Sequence, residues 1–598
     1  MSDSNEKWAR IQNKKRSGLL VPLFSVYSKK SLGIGDFEDL KLLIDWTAST
    51  GNSILQLLPM NEMGAVSCPY DSISSFALEP VYLSLRSFPA TEDKTIKKEI
   101  EALRSRFSVG GAAHLDYAIK KEKMRLLWKI YCLQEDFDNE EFNRFMEENH
   151  YWLFNFCLFK ALKEYHHGKA WYDWDEKFRE REWTALEEFK KEHEKEIVFQ
   201  MWVQWQAFKQ FRDAKAYAQS KNILLKGDLP ILVSRDSADV WAHRDFFKLE
   251  FAAGAPPDMY CAKGQRWGMP TYDWAKIKEN GFWYLKEKLK YAENFYDILR
   301  IDHVVGLFRI WSIPYNEPAE NQGLNGFFDP RDEPKWGGHG KEILQVILDG
   351  TKMLLCAEDL GVIPRVCIDT LKELGIPGND VERWVKDWDV RHDFLSPDEY
   401  RRLSVAMLST HDTTNWPAWW ENEAGTVDEG LFIRKCNDRG INFHSVKAQL
   451  FDPAFSGHGR LRWKNEINSE DNLIWILGKR KEEVRDFIDI YLNTYLEKEK
   501  LWRQLGLKGA MREASDARIV RAALKITLDS KAVFCVNTII DWLYIFDIWK
   551  GDPYQYRTNT PGTVSEKNWS LVLPVSLEDL LKHKASAEIK KMVTASGR

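Results

Sequence analysis

LRIDHVVGL (299–307), LCAEDLG (355–361) and LSTHDTT (408–414) each carry an apolar, strand-like run into an acidic residue. They set Asp302, Glu358 and Asp412 at intervals of 56 and 54 residues. That interval suits a repeated strand–helix unit enlarged by loop insertions. Acids at the carboxyl ends of successive barrel strands point into one shared pocket, where barrel enzymes keep their chemistry. Three carboxylates in a sugar-sized cleft point to glycosidic bond chemistry. The expected fold class is α/β, a (β/α)8 TIM barrel with long helical insertions.

Other stretches fit the same frame. GLLVPLF (18–24) and SILQLLP (53–59) read as the first two strands, and NILLKGDLPILV (222–233) as the third. YDILRID (296–302), MLLCAED (353–359), SVAMLST (404–410) and AVFCVNTII (532–540) follow. Near-continuous apolar strands are the parallel kind, covered on both faces. The sixth strand is faint between 376 and 390, where VERWVKDWDV suits a helix equally well. In SLGIGDFEDL (31–40), Asp36 is placed to cap the next helix. The expected organisation is a single elaborated catalytic barrel over 1–598. Helical insertions are expected at 85–220 after strand two, and at 420–530 near the last strands. ALEEFKKEHEKEI (185–197) has the spacing of a solvated helical face.

Bulk properties narrow the function classes. Net charge is −5, which favours neither nucleic acid nor an anionic membrane as partner. Eight scattered cysteines without metal-ligand spacing read as reduced cytosolic thiols. The polar start, MSDSNEKWARIQNKKR, has no apolar signal core, and no run of about 18 apolar residues is present. A soluble cytoplasmic protein is expected. Tryptophan is abundant, with 26 residues, and serves either a large aromatic core or a surface for stacking pyranose rings.

Retaining glycosyl transfer needs a carboxylate nucleophile on one side of the sugar and a carboxylic acid on the other. Asp302 is the expected nucleophile. Arg300, two residues earlier, leaves the strand on the same face and is expected to hold Asp302 ionised. Glu358 ends an apolar strand that desolvates it and raises its pKa, as suits a general acid/base. Asp359 beside it is expected to point into the barrel wall or a helix cap. Asp412, after His411, is expected to bind sugar hydroxyls in the oxocarbenium-like state. GAPPDMYCAKGQRWGMP (254–270) is a loop whose Asp258, Gln265 and Trp267 have sugar-binding character, placed where a lid would exclude water. In CPYDSISSFALEPVY (68–82), Tyr70 is placed to stack on a bound sugar.

These motifs resemble those of the 4-α-glucanotransferases called amylomaltase or disproportionating enzyme, glycoside hydrolase family 77 of the α-amylase superfamily. The resemblance runs from SLGIGDFEDL to NTPGTVSEKNW (559–569), and the loop with GQRWG is specific to this branch. It implies Asp302 as nucleophile, Glu358 as acid/base and Asp412 as transition-state stabiliser. Arg300 and His411 would support the donor sugar, and Tyr70, Asp258 and Trp267 the glucan chain. DSADVWAHRDFF (236–247) would correspond to the loop after the third strand. Maltooligosaccharides and α-glucans would be donor and acceptor, with no metal or organic cofactor. An α-1,4-glucan hydrolase on the same scaffold is the alternative. Two places depart from the family pattern. Glu79 stands where an Asn is usual, and NEMGAVSC (61–68) replaces a proline- and glycine-containing turn.

Overall fold

The computed structural model describes residues 4–88, 93–108, 114–133, 139–257 and 263–598. Eight parallel strands form the centre. They are β1 (Arg16–Leu20), β2 (Ile54–Gln56), β3 (Leu224–Leu229), β4 (Ile298–Ile301), β5 (Leu354–Ala357), β6 (Gly378–Val381), β7 (Ser404–Met407) and β8 (Phe534–Thr538). Their spatial order is β5-β4-β3-β2-β1-β8-β7-β6. At the remaining seam between β5 and β6, the Ala357 N–H donates to the Pro377 carbonyl at 2.8 Å. The result is a nearly closed (β/α)8 barrel.

The strands are short and, except for Leu224 at the start of β3, fully buried, because barrel side chains fill the inside while helices cover the outside. β6 is GNDV, at the start of the faint 376–390 stretch, and Glu382–Trp384 forms a single 3₁₀ turn. The strand was faint because its polar Asn379 and Asp380 are held by tertiary partners. Asp380, for example, accepts from the Arg401 Nε at 2.7 Å. Asp36 caps the helix Phe37–Ser49, accepting from the N–H groups of Glu38 and Asp39. Many tryptophans serve the core. Trp46, Trp202, Trp241, Trp416, Trp420 and Trp542 are all fully buried.

Between β2 and β3 lie helices that include Ala118–Cys132, Glu140–Tyr165 and Glu194–Ser220. In 185–197, Leu186, Phe189 and Ile197 turn inward and the charged residues outward. Two glutamines of the 27-residue helix Glu194–Ser220 clamp the chain that follows β2. Gln204 pairs with both backbone groups of Leu78 (2.8 and 2.9 Å), and Gln210 with both of Ser84 (2.8 and 3.2 Å). Buried Glu79 accepts from Lys120 of this helical region at 2.9 Å and from the Met63 N–H at 2.9 Å. A charged residue is accommodated there because the helices supply its cation. Segment 420–530 combines helices with a three-stranded antiparallel sheet (Thr426–Asp428, Phe451–Gly457, Arg460–Trp463). Residues 427–491 form a hydrophobic cluster of their own.

Candidate active site

Register places the site. Asp228, Arg300 and Cys356 stand opposite one another on β3, β4 and β5. Strand side chains alternate, so Asp302 and Glu358 occupy the next row up, at the carboxyl end. The ladder extends past the strand ends to fix them: the Asp302 N–H donates to the Leu229 carbonyl (3.1 Å), and the Glu358 N–H to that of Ile301 (2.9 Å).

The lower row is an ion pair that sequence reasoning missed. Arg300, 6% exposed, sends Nη1 to both oxygens of buried Asp228 (2.7 and 2.6 Å) and to Asp302 Oδ1 (2.8 Å). Arg300 pairs with Asp302 and favours its charged form, but Asp228 shares the guanidinium. Burial pushes the Asp302 carboxyl up to about 6, against the pull of Arg300 and with added repulsion from Asp228. A quarter of its side chain remains open to the cleft, and a carboxyl near 6 is mostly ionised at neutral pH.

Glu358 Oε2 accepts from the His303 N–H (2.9 Å) and Oε1 from the Leu360 N–H (2.8 Å), so its carboxyl is held in one orientation. Burial raises its pKa to about 7; Arg300 opposes the shift and Asp302 adds to it. Asp359 turns into the barrel wall, where it accepts from Arg401 (2.5 Å) and the Asn379 N–H (2.6 Å).

Across the cleft, Asp412 lies 3.2 Å from His411 Nε2 and accepts from Asn559 Nδ2 at 2.7 Å. Burial works against its charge, but His411 and the hydrogen bonds from His411 and Asn559 outweigh it and lower its pKa to about 2. For His411, burial opposes protonation and Asp412 overcomes it, so the imidazole titrates above its ordinary value. The loop carrying both residues is clamped from beneath by Arg383, just after β6. Arg383 is 2% exposed and donates to the Leu408 carbonyl (3.4 Å), Ser409 Oγ (2.9 Å), Thr414 Oγ1 (3.1 Å) and the Thr414 carbonyl (2.9 Å). Among the described residues no carboxylate forms an ion pair with it. A buried guanidinium is costly, and both Nη groups of this one are satisfied by the loop it holds, while its Nε finds no acceptor among the described residues.

Tyr70 lies in the site, but its ring stacks on His411 (5.1 Å, 16°) and its hydroxyl donates to Asp228 at 2.7 Å. The expectation of a ring simply open for a sugar is therefore modified, since His411 occupies one face. Trp267 meets His303 edge to face at 4.8 Å, and its Nε1–H donates to Gln265 Oε1 at 3.0 Å. Gln265 thus orients Trp267. Gln265–Arg266 belongs to a four-stranded antiparallel sheet above the barrel, with Phe251–Ala255, Ile310–Pro314 and Phe327–Asp329. Asp258 lies outside the described residues. Helix Ala238–Ala242 occupies the 236–247 stretch. Trp569 packs beside Tyr70 and His411, with ring centroids 5.6 and 5.8 Å away; it, Asp228, His303, Asn559 and Arg383 were not read from sequence as site residues. Asp228 alone carried a usable signal, as another acid at a strand's carboxyl end.

The family model described as 4-alpha-glucanotransferase (glycoside hydrolase family 77) matches residues 21–576. This chain belongs to that family. A 4-alpha-glucanotransferase of Chlamydia pneumoniae is 32% identical over 99% of this chain and 98% of its own length. Two solved structures share the fold. The amylomaltase of Streptococcus agalactiae, solved with acarbose, has a TM-score of 0.69 at 23% identity, covering 98% of this chain and 100% of that one. The amylomaltase of Corynebacterium glutamicum has a TM-score of 0.71 at 20% identity, covering 99% and 76%. The 4-α-glucanotransferase family moves a segment of an α-1,4-glucan to the 4-hydroxyl of an acceptor, and that is the activity of this chain.

Proposed function

We propose that Asp302 is the nucleophile of this transfer, Glu358 its general acid/base and Asp412 its transition-state stabiliser. The observation that carries this assignment is how each carboxyl is held. Asp302 pairs with Arg300 just past β4, and Glu358 is fixed by two backbone N–H groups just past β5. Asp412 pairs with His411 and Asn559. Glu358 is poised near neutrality, Asp302 is mostly ionised, and Asp412 is held fully charged. Pairs of titratable groups pushed apart by their environments mark acid and base roles.

The Asp302 carboxylate attacks the anomeric carbon while Glu358 gives its proton to the glycosidic oxygen. The reducing-end fragment leaves, and the glycosyl group is esterified to Asp302. An acceptor 4-hydroxyl then loses its proton to Glu358, attacks the same carbon and releases Asp302. Configuration is retained through two displacements. Charged Asp412 stabilises the oxocarbenium-like states between them. Arg300 and His411 orient the donor sugar around these groups, while Trp267, set by Gln265, and the Tyr70 segment border the chain; Asp258 is assigned to the same glucan-binding loop.

The substrates are maltooligosaccharides and α-glucans; acarbose in the Streptococcus agalactiae amylomaltase supports a cleft of this chemistry. The working unit is one elaborated barrel over 1–598, with 85–220 and 420–530 as insertions. Cytoplasmic residence, without a membrane or nucleic-acid partner, fits the seven free thiols among the described residues. No described helix is long and apolar enough to cross a membrane. Incubation with pure maltotriose tests the reaction. A ladder of longer maltooligosaccharides plus glucose, at constant total reducing ends, is expected. Rising reducing ends without longer products would overturn transfer in favour of hydrolysis.

A further inference from the structure

Away from the three carboxylates, one cluster on the catalytic face has no part in the mechanism. The helical region after β2 is bolted to the loop after β3 at Arg235–Asp236. The Trp171 Nε1–H donates to the Arg235 carbonyl at 2.8 Å, the Trp171 N–H to Asp236 Oδ1 at 3.1 Å, and Lys163 pairs with Asp236. This junction brings Tyr172 beside the Arg235 guanidinium, which lies 5.6 Å from its ring centroid. The same guanidinium lies 3.7 Å over the ring of Tyr315. Both tyrosines stay open to solvent, at 37% and 40%.

Tyr315 is rigidly mounted. It follows the strand Ile310–Pro314, its N–H donates to the Glu250 carbonyl (2.8 Å), and its own carbonyl accepts from Arg266 Nη2 (2.5 Å). Arg266 precedes Trp267, whose edge meets His303 in the catalytic cleft. Arg235 is fixed by a 2.6 Å bond to the Leu249 carbonyl, yet its buried Nε–H has no protein acceptor. A chain of contacts therefore joins Arg266, 5.7 Å from the Tyr315 ring, to Tyr315, Arg235 and Tyr172, beginning next in sequence to Trp267.

We propose that Tyr172, Arg235 and Tyr315 form an outlying platform that binds a stretch of an α-1,4-glucan chain beyond the residues undergoing transfer. The proposal rests on the glucan reading above and extends it to substrate length. Pyranose rings present C–H faces that pack on aromatic rings, and their hydroxyls accept from guanidinium N–H groups, so the mixed composition suits a glucan. The two exposed rings are too small an apolar area for a stable protein interface. Because one tyrosine comes from the helical insertion and the other from the barrel, the insertion takes part in selecting long substrates.

The test compares Tyr172→Ala and Tyr315→Ala with the wild type on long amylose and on maltotriose, with migration in native gels containing glycogen. Each variant is expected to raise KM for amylose about 5-fold, the scale of one aromatic contact, and to migrate faster in glycogen gels. kcat and maltotriose kinetics should hold, which also reports an intact fold, and Tyr315→Phe should behave as wild type. Unchanged amylose KM and gel migration would overturn the platform. So would an equal loss on maltotriose, which would put these tyrosines in the cleft itself. A wild type that makes no maltotriose ladder would instead break the transferase reading, while glycogen retardation would still report on the platform.

Discussion

The two sides of the cleft treat the same chemical group in opposite ways. On the β4–β5 side, Asp302 and Glu358 sit over an Arg300–Asp228 pair whose charges largely cancel. Burial therefore prevails, and the pKa values rise to about 6 and about 7. On the β7 side, Asp412 is hydrogen-bonded by His411 and Asn559 and falls to about 2, with its side chain 46% exposed. Proton exchange is thus confined to one wall and a permanent charge to the other. What separates them is direct partnering: one cation shared among acids on one side, hydrogen bonds from His411 and Asn559 to one acid on the other.

The strongest way to break this contrast is to neutralise the nucleophile. Asp302→Asn should lower kcat/KM by at least about 10⁴-fold, with the thermal unfolding midpoint unchanged or raised; a near-normal rate removes Asp302 from the role. Glu358→Gln should cost about 10²- to 10⁴-fold with maltotriose, since it removes acid catalysis. A glycosyl fluoride, whose leaving group needs no proton, should still form the intermediate with that variant. Equal loss on both donors would show that Glu358 does not act as the acid.

The opposite wall depends on Arg383. Arg383→Met should lower kcat on the order of 10- to 100-fold with little change in KM, because it loosens the loop holding Asp412 without touching sugar. Partial rescue of Arg383→Ala by added guanidinium separates positioning from general destabilisation; no rescue and a matching rise in KM would argue against it.

The smallest effect sharpens the comparison most. Asp302 must be deprotonated and Glu358 protonated, so kcat/KM should follow a bell with limbs near pH 6 and pH 7, belonging to the coupled pair. Activity is lost below the lower limb as Asp302 gains a proton, and above the upper limb as Glu358 loses one. Asp228→Asn removes a negative charge that raises Asp302, so the acid limb should move to lower pH. A limb that stays in place would show that Asp228 does not set it.

Much of this arrangement was legible in the chain itself. The three strand-end acids stood out because each closes an apolar run, and that local pattern survives without tertiary information. Strand six did not stand out, since Asn379 and Asp380 look like loop residues until Arg401, more than 20 residues away, satisfies Asp380. The weakness of the hold on Asp302 was hidden for a related reason. Arg300 stands two residues before Asp302, but Asp228, which shares its charge, lies 72 residues before Arg300 and meets it only through the register of β3 and β4. Arg383 was invisible because its four bonds reach a loop 25 to 31 residues on, and no motif marks a buried arginine. Tyr70 lies beside His411, but their stacking depends on an approach across 341 residues that spacing does not encode.

The assignment of Asp302 and Glu358 to consecutive steps is tested most directly by catching the intermediate. Glu358→Gln is incubated with a maltosyl fluoride, quenched in acid and digested for peptide mass spectrometry. A maltosyl adduct on the peptide containing Asp302, absent when Asp302→Asn is added, is the predicted result. An adduct on another carboxylate, or fluoride release with no adduct and an inverted product, would contradict it.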